Sequence, residues 1–151
     1  SLQRNFGHTF NRNEIIFREG DPGREVFFII KGQIRITARY YVSDGEGEKV
    51  SEEEKVHELC ILKDGDILGE MSLLNNLPRS ATAQAVEDTD VLLFSNEDFY
   101  VNIARYPQLA VRFMKLLAKR LHEMDEKLSA TLGYNEYLKY QIEIIKKSNL
   151  E

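Results

Sequence analysis

Glu70 and Arg79 stand nine residues apart in the run Gly69-Glu70-Met71-Ser72-Leu73-Leu74-Asn75-Asn76-Leu77-Pro78-Arg79-Ser80-Ala81-Thr82. An ionised glutamate only accepts hydrogen bonds, so it suits a sugar hydroxyl and repels a phosphate placed directly on it. An arginine can pair with a phosphate oxygen through charge-assisted bonds. Ser80 adds a hydroxyl donor. The stretch Glu70 to Leu74 reads as about one helical turn, whose first backbone N–H groups have no internal partner and favour an anion. Gly69 lets a ligand approach the backbone, and Pro78 stiffens the chain before the arginine. An acid for a ribose and an arginine for a phosphate would divide the work on one ligand, which points to a nucleotide sensor rather than a catalyst. The spacing alone equally allows a plain Glu70–Arg79 ion pair closing a loop, worth under about 1 kcal/mol at a surface.

The remaining reactive residues make a weaker case for chemistry. His8, His57 and His122 are scattered, with no HxH pair of the kind a cupin metal centre needs. His57 reads as a half-exposed strand residue and His122 as a solvated helix residue. Cys60 is the single cysteine and sits in an apolar strand, where a thiol is most often inert. The sequence shows no Ser-His-Asp or Cys-His arrangement. Neither an enzyme nor a metal site is expected.

The elements that must hold Glu70 and Arg79 follow from periodicity. The chain has 151 residues, 42% hydrophobic and 30% charged, with a formal net charge of −5. This is enough for one domain with a core, and the acidic balance argues against a general nucleic-acid surface. No run approaches a transmembrane helix, and no signal peptide is visible. Residues 6 to 95 read as short strands divided by turns, the spacing of a sandwich or barrel. Strand candidates are Phe6–Phe10, Glu14–Phe17, the apolar run Val26–Ile30, the alternating Ile34–Ala38, Val56–Leu62, a strand ending at Gly69, Ser80–Val86 and Thr89–Phe94. Residues 43 to 55 read as an exposed polar hairpin loop.

After Phe94 the period changes to that of helices. Ser95 or Asn96, followed by Glu97-Asp98, reads as a helix start. Pro107 begins a second, long helix. Ala110, Met114, Leu117, Leu121, Met124, Leu128 and Thr131 alternate steps of four and three, a heptad seam. Leu109, Phe113, Leu116 and Arg120 form another stripe. One face is expected to meet the β unit and the other a second copy, a homodimer through 110–131. Gly133 is a natural stop, yet the spacing continues through Asn135, Leu138, Ile142 and Ile145. Either the helix breaks at Gly133 or it runs on, since a helical glycine costs only about 1 kcal/mol.

The run from Gly69 to Thr82 closely resembles the phosphate-binding cassette of the cyclic-nucleotide-binding domain family. The family pattern is Gly-Glu, a small residue two places after the acid, apolar residues, then Arg-Ser-Ala-Thr or a near variant. Gly69-Glu70, Ser72, Leu73-Leu74 and Arg79-Ser80-Ala81-Thr82 match it without departure. Phe17, Glu19-Gly20, Pro22-Gly23, Phe27 to Ile30, Lys31-Gly32 and Gly65-Asp66 match the upstream signature. The resemblance spans about residues 6 to 130. It implies a mainly β fold with C-terminal α structure: an eight-stranded jelly roll (a double-stranded β-helix), then a long helix and a shorter helical tail. The implied division is 6–95 for the β-roll, 96–132 for lid and dimerisation helices, and 133–151 for a tail or linker. Glu70 would bind the ribose 2′-hydroxyl. Arg79 would bind the cyclic phosphate, with Ser80 and the backbone of Met71 and Ser72, while Gly69 and Ala81 complete the cassette. Ile36, Leu59 and Cys60 fall where members line the sugar and base. Met124 and Asp125 fall where a long helix offers residues to the base, though neither matches the hydroxyl pair used there.

Two departures stand out: the 43–55 loop is longer than in many members, and the helix that usually precedes the barrel is missing. Both chain ends read as cut from a longer protein. The resemblance implies a non-enzymatic, cytoplasmic regulatory domain with no cofactor, whose ligand is cAMP, with cGMP second. Ser80 could also reach the amino group of a syn guanine. Ligand binding would shift the helices and act on an output module outside this chain. No direct nucleic-acid contact and no membrane segment are expected here. The alternatives are the effector domain of a catabolite-activator-like transcription regulator and a non-binding dimerisation jelly roll. Only about twenty residues follow Leu132, too few for a helix-turn-helix domain.

Overall fold

The computed structural model describes residues 5–40 and 55–148. Most of the 43–55 loop expectation therefore lies outside the described residues. Eight strands form in the order β1 (Gly7–Phe10), β2 (Ile15–Phe17), β3 (Glu25–Lys31), β4 (Gln33–Tyr40), β5 (Lys55–Lys63), β6 (Ile67–Leu68), β7 (Thr82–Ala85) and β8 (Thr89–Ser95). They build two four-stranded antiparallel sheets, β1-β8-β3-β6 and β2-β7-β4-β5. The fold is the expected jelly roll.

The core lies between the sheets. Phe10, Phe27, Ile29, Leu68 and Val91 come from one sheet, and Ile34, Ala83 and Ala85 from the other. The small Ala83 and Ala85 of β7 share this core with the large Phe27 and Ile29 of β3. Alternation in β7 puts Ala83 and Ala85 inside, and in β8 it holds from Thr89 to Val91 before Phe94 is buried out of phase.

Several strand boundaries shift by a residue or two from the sequence expectation, and three differences bear on the packing. The first strand begins at Gly7, not Phe6, and the Phe6 ring lies 4.5 Å from that of Phe94. The strand expected from Ser80 begins at Thr82, because Arg79 just before it is tied to another turn. On β5 the register slips: Ile36 faces Cys60 but Thr37 faces Glu58, leaving Leu59 as the extra residue of a bulge.

Helix α1 (Glu70–Asn75) sits between β6 and β7. Helix α2 (Asn96–Arg105) follows β8. Ser95 Oγ accepts from the Asp98 backbone N–H at 3.1 Å and donates to Asp98 Oδ2 at 2.7 Å, a working N-cap. Two compact units result, residues 1–105 and 106–151.

The second unit holds α3 (Pro107–Ser148), one helix of 42 residues. It runs straight through Gly133, so the tail expected after it is the continuation of the same helix. Nothing lies within 4 Å of where a Gly133 side chain would start. Thr131 Oγ1 donates to the Lys127 carbonyl at 2.9 Å, which satisfies its hydroxyl within the helix. Lys119–Glu123 and His122–Glu126 pairs at (i, i+4) add small local support. Leu121, Met124 and Leu128 of the heptad seam are exposed.

Candidate functional site

Arg79 is the centre of the site, and its backbone is anchored first. Its N–H donates to the Asp21 carbonyl and its carbonyl accepts from the Gly20 N–H, both at 2.8 Å. The turn before β3 and the end of the cassette are thereby tied together. The side chain then runs inward until only 3% of it is exposed. Nη1 donates to the Gly69 carbonyl at 3.2 Å. Nη2 donates to the Glu25 carbonyl at 3.0 Å and to Glu25 Oε2 at 3.2 Å. The guanidinium carbon lies 4.2 Å from the centre of the Phe17 ring and 5.7 Å from that of Phe27, within cation–π range. Nε is buried without a hydrogen-bond partner.

Two glycines make room for this cation. Gly69 has φ +85°, a left-handed conformation that L side chains rarely adopt. A Cβ there would lie 2.5 Å from Arg79 Nη1 and 2.7 Å from the Glu25 carbonyl oxygen. Gly23 meets the other edge of the guanidinium. A Cβ there would collide with Ser72 Cβ, stand 2.7 Å from Ser72 Oγ and 2.9 Å from Arg79 Nε. The small residue two places after Glu70 is thus required by the approach of Gly23.

Electrostatics reinforce the placement. Burial lowers the Arg79 pKa from its ordinary value, and the nearby charges of Glu25, Glu70 and Asp21 oppose that shift. Glu70 is itself buried, in the first turn of α1, as is Ser72. A buried cation with one idle donor, beside a buried carboxylate and a backbone that tolerates close approach, is chemically suited to an anion joined to a hydroxyl-bearing group.

The cassette residues Gly69, Glu70, Met71, Ser72, Arg79, Ser80 and Ala81 lie in and around α1 and the segment leading into β7. Met71 and Ser80 are exposed, and Ala81 is buried. Ile36 on β4 lies between Cys60 on β5 and Ala83 on β7 and packs on the core. Leu59 is 49% exposed at the bulge, and Cys60 is half-buried. Met124 and Asp125 belong to α3, in the second unit. Glu25 is the residue that sequence reasoning missed. It lies 54 residues from Arg79, in front of an apolar run, and no local pattern marks it. Among the described residues, no group of three or more His, Cys, Asp or Glu could hold a metal ion. No described helix is long and apolar enough to cross a membrane.

Comparison with known proteins gives the family and the fold. Residues 8–106 match the cyclic nucleotide-binding domain family. The cyclic AMP receptor protein of Thermus thermophilus is 37% identical over 113 residues, 75% of this chain and 47% of that relative. The crystal structure of the Thermus thermophilus catabolite activator protein superposes with a TM-score of 0.67 at 32% identity, covering 85% of this chain and 55% of that one. A cyclic nucleotide-binding domain from Methylobacillus flagellatus gives 0.62 at 26% identity, over 78% of this chain and 62% of that one. The chain thus spans less than half of the Thermus receptor protein. It belongs to the cyclic nucleotide-binding domain family.

Proposed function

We propose that this member of the cyclic nucleotide-binding domain family is a regulatory sensor for cAMP, with cGMP as the weaker ligand. Arg79 receives the cyclic phosphate, and Glu70 accepts the ribose 2′-hydroxyl. The observation that carries this reading is the buried Nε of Arg79, a donor without a protein partner beside Gly23 and Ser72. A phosphate oxygen would satisfy it, and an unmade bond at a buried donor costs roughly 1–3 kcal/mol. The backbone N–H groups of Met71 and Ser72, the Ser80 hydroxyl, Gly69 and Ala81 complete the cradle. Ile36, Leu59 and Cys60 line sugar and base. The preference for adenine follows the name of the Thermus relative rather than any contact with the base.

The role is non-catalytic and cytoplasmic. Ligand binds better to one of two arrangements of cassette and helices and shifts the population toward it. The heptad seam of α3 joins two copies, so a helix movement becomes a change in dimer geometry passed to an output module. A second reading, the effector domain of a catabolite-activator-like transcription regulator, is favoured by the identity to the Thermus receptor protein. Its test is which domains accompany this one in the full-length protein.

Calorimetric titration with cAMP, cGMP and a cyclic dinucleotide tests the ligand. The expected order is cAMP, then cGMP, with no response to the dinucleotide. Absence of binding by both mononucleotides removes the sensor reading and leaves the dimerisation jelly roll.

A further inference from the structure

Arg79 already holds an anion. Glu25, the first residue of β3, takes both partners of Nη2: its carbonyl at 3.0 Å and its carboxylate Oε2 at 3.2 Å. The two side chains differ sharply in freedom. Arg79 is 3% exposed, while the Glu25 side chain is 44% exposed. The arginine cannot withdraw, because its backbone is tied to Gly20 and Asp21 and the Gly69 and Gly23 backbones wall its guanidinium. The glutamate can swing into water by rotating its own side chain, with its carbonyl left on Nη2.

Charge makes that movement matter. Three carboxylates, those of Glu25, Glu70 and Asp21, act on the single Arg79 cation. A phosphate arriving at this arginine meets a local excess of negative charge. Of the three acids, Glu25 is the one whose carboxylate hydrogen-bonds the guanidinium and whose side chain is half in water. Glu70, in contrast, is buried in α1.

We propose that Glu25 is a resident anion on Arg79, that the phosphate of the ligand must displace its carboxylate from Nη2 in order to take Nη2 together with the idle Nε, and that Glu25 thereby sets both the affinity threshold and the association rate of the site. This rests on the reading that Arg79 receives the cyclic phosphate. Glu25 is a positioning and gating residue here, since it acts through Arg79. It keeps the guanidinium partnered while no ligand is bound, and it raises the ligand concentration at which the site fills.

The test compares Glu25→Gln, which keeps shape and removes charge, with Glu25→Asp, which keeps charge and shortens reach. Affinity for cAMP is measured by calorimetry, and association by stopped flow with a fluorescent cAMP analogue, at low and high salt. Removing one like charge a few ångströms from the phosphate in a partly solvated site predicts about three- to tenfold tighter binding for Glu25→Gln. The gain should appear in the association rate and shrink at high salt, as screening predicts. Glu25→Asp should stay nearer the parent protein than Glu25→Gln. A folded Glu25→Gln chain, checked by thermal melting, whose affinity is unchanged or weaker overturns the proposal. So does a gain that salt leaves untouched. A parent chain that binds no cyclic nucleotide refutes the nucleotide reading itself, a distinct result visible before any variant is made.

Discussion

Replacing Arg79 with alanine should separate what this side chain does for the fold from what it does for the ligand. In the free protein the substitution deletes three side-chain hydrogen bonds and two ring contacts, the closer one to Phe17. Two of the acceptors are backbone carbonyls; that of Gly69 keeps the Leu73 N–H at 3.2 Å, so the loss falls mainly on that of Glu25, and a buried group left unpaired costs roughly 1–3 kcal/mol. The closer ring contact, to Phe17, adds roughly 0.5–2 kcal/mol. Against this stands the cost of burying the guanidinium, seen in its lowered pKa and its partnerless Nε, which the variant no longer bears. The Glu25 carboxylate, half in water, loses little. The balance is a loss of about 1–3 kcal/mol in stability, read by urea unfolding. For the ligand, losing a charge-assisted contact predicts about 1.5–3 kcal/mol, or roughly ten- to 150-fold weaker cAMP binding. Calorimetry on the folded variant decides the matter. An affinity within twofold of the parent protein would refute the assignment of the phosphate to Arg79, whatever the unfolding curve shows.

Three further perturbations probe the same geometry. Gly69→Ala combines a left-handed backbone cost of about 1–2 kcal/mol with a Cβ 2.5 Å from Arg79 Nη1. Tenfold or greater loss of cAMP affinity is expected, and unchanged binding would mean that the guanidinium need not sit where it does. Glu70→Gln should weaken cAMP by roughly 1.5–3 kcal/mol while barely affecting 2′-deoxy-cAMP, and equal losses for both ligands would dissociate Glu70 from the ribose hydroxyl. Leu121→Asp places a charge on the exposed seam of α3 and should give a monomer by light scattering. A persistent dimer would move the interface off this helix.

Much of the β-roll was legible in the sequence because its signals are local. Period-two alternation in β4, the apolar run of β3 and the turn at residues 20–23 depend on neighbouring residues, and the strands form where those signals lie. The helix start at Asn96 was legible for the same reason, since the Ser95–Asp98 cap closes within four residues. The bulge at Leu59 was not, because register is settled by the partner strand. The fate of Gly133 was not either. A cost of about 1 kcal/mol lies too close to what the rest of a long helix supplies for composition to decide between a break and continuity.

Glu70, Arg79 and the residues between them were determined by the sequence itself, as an acid and a cation separated by a turn of helix. Tertiary structure decided what they face. Folding the sheets brings Glu25 to Arg79 from 54 residues away and sets Gly23 against Ser72 and the guanidinium. It also buries a cation that would be solvated on an isolated segment. Sequence spacing specifies which groups share a loop. Desolvation and the identity of an arginine's partners arise only when distant strands pack, since both depend on what fills the surrounding space.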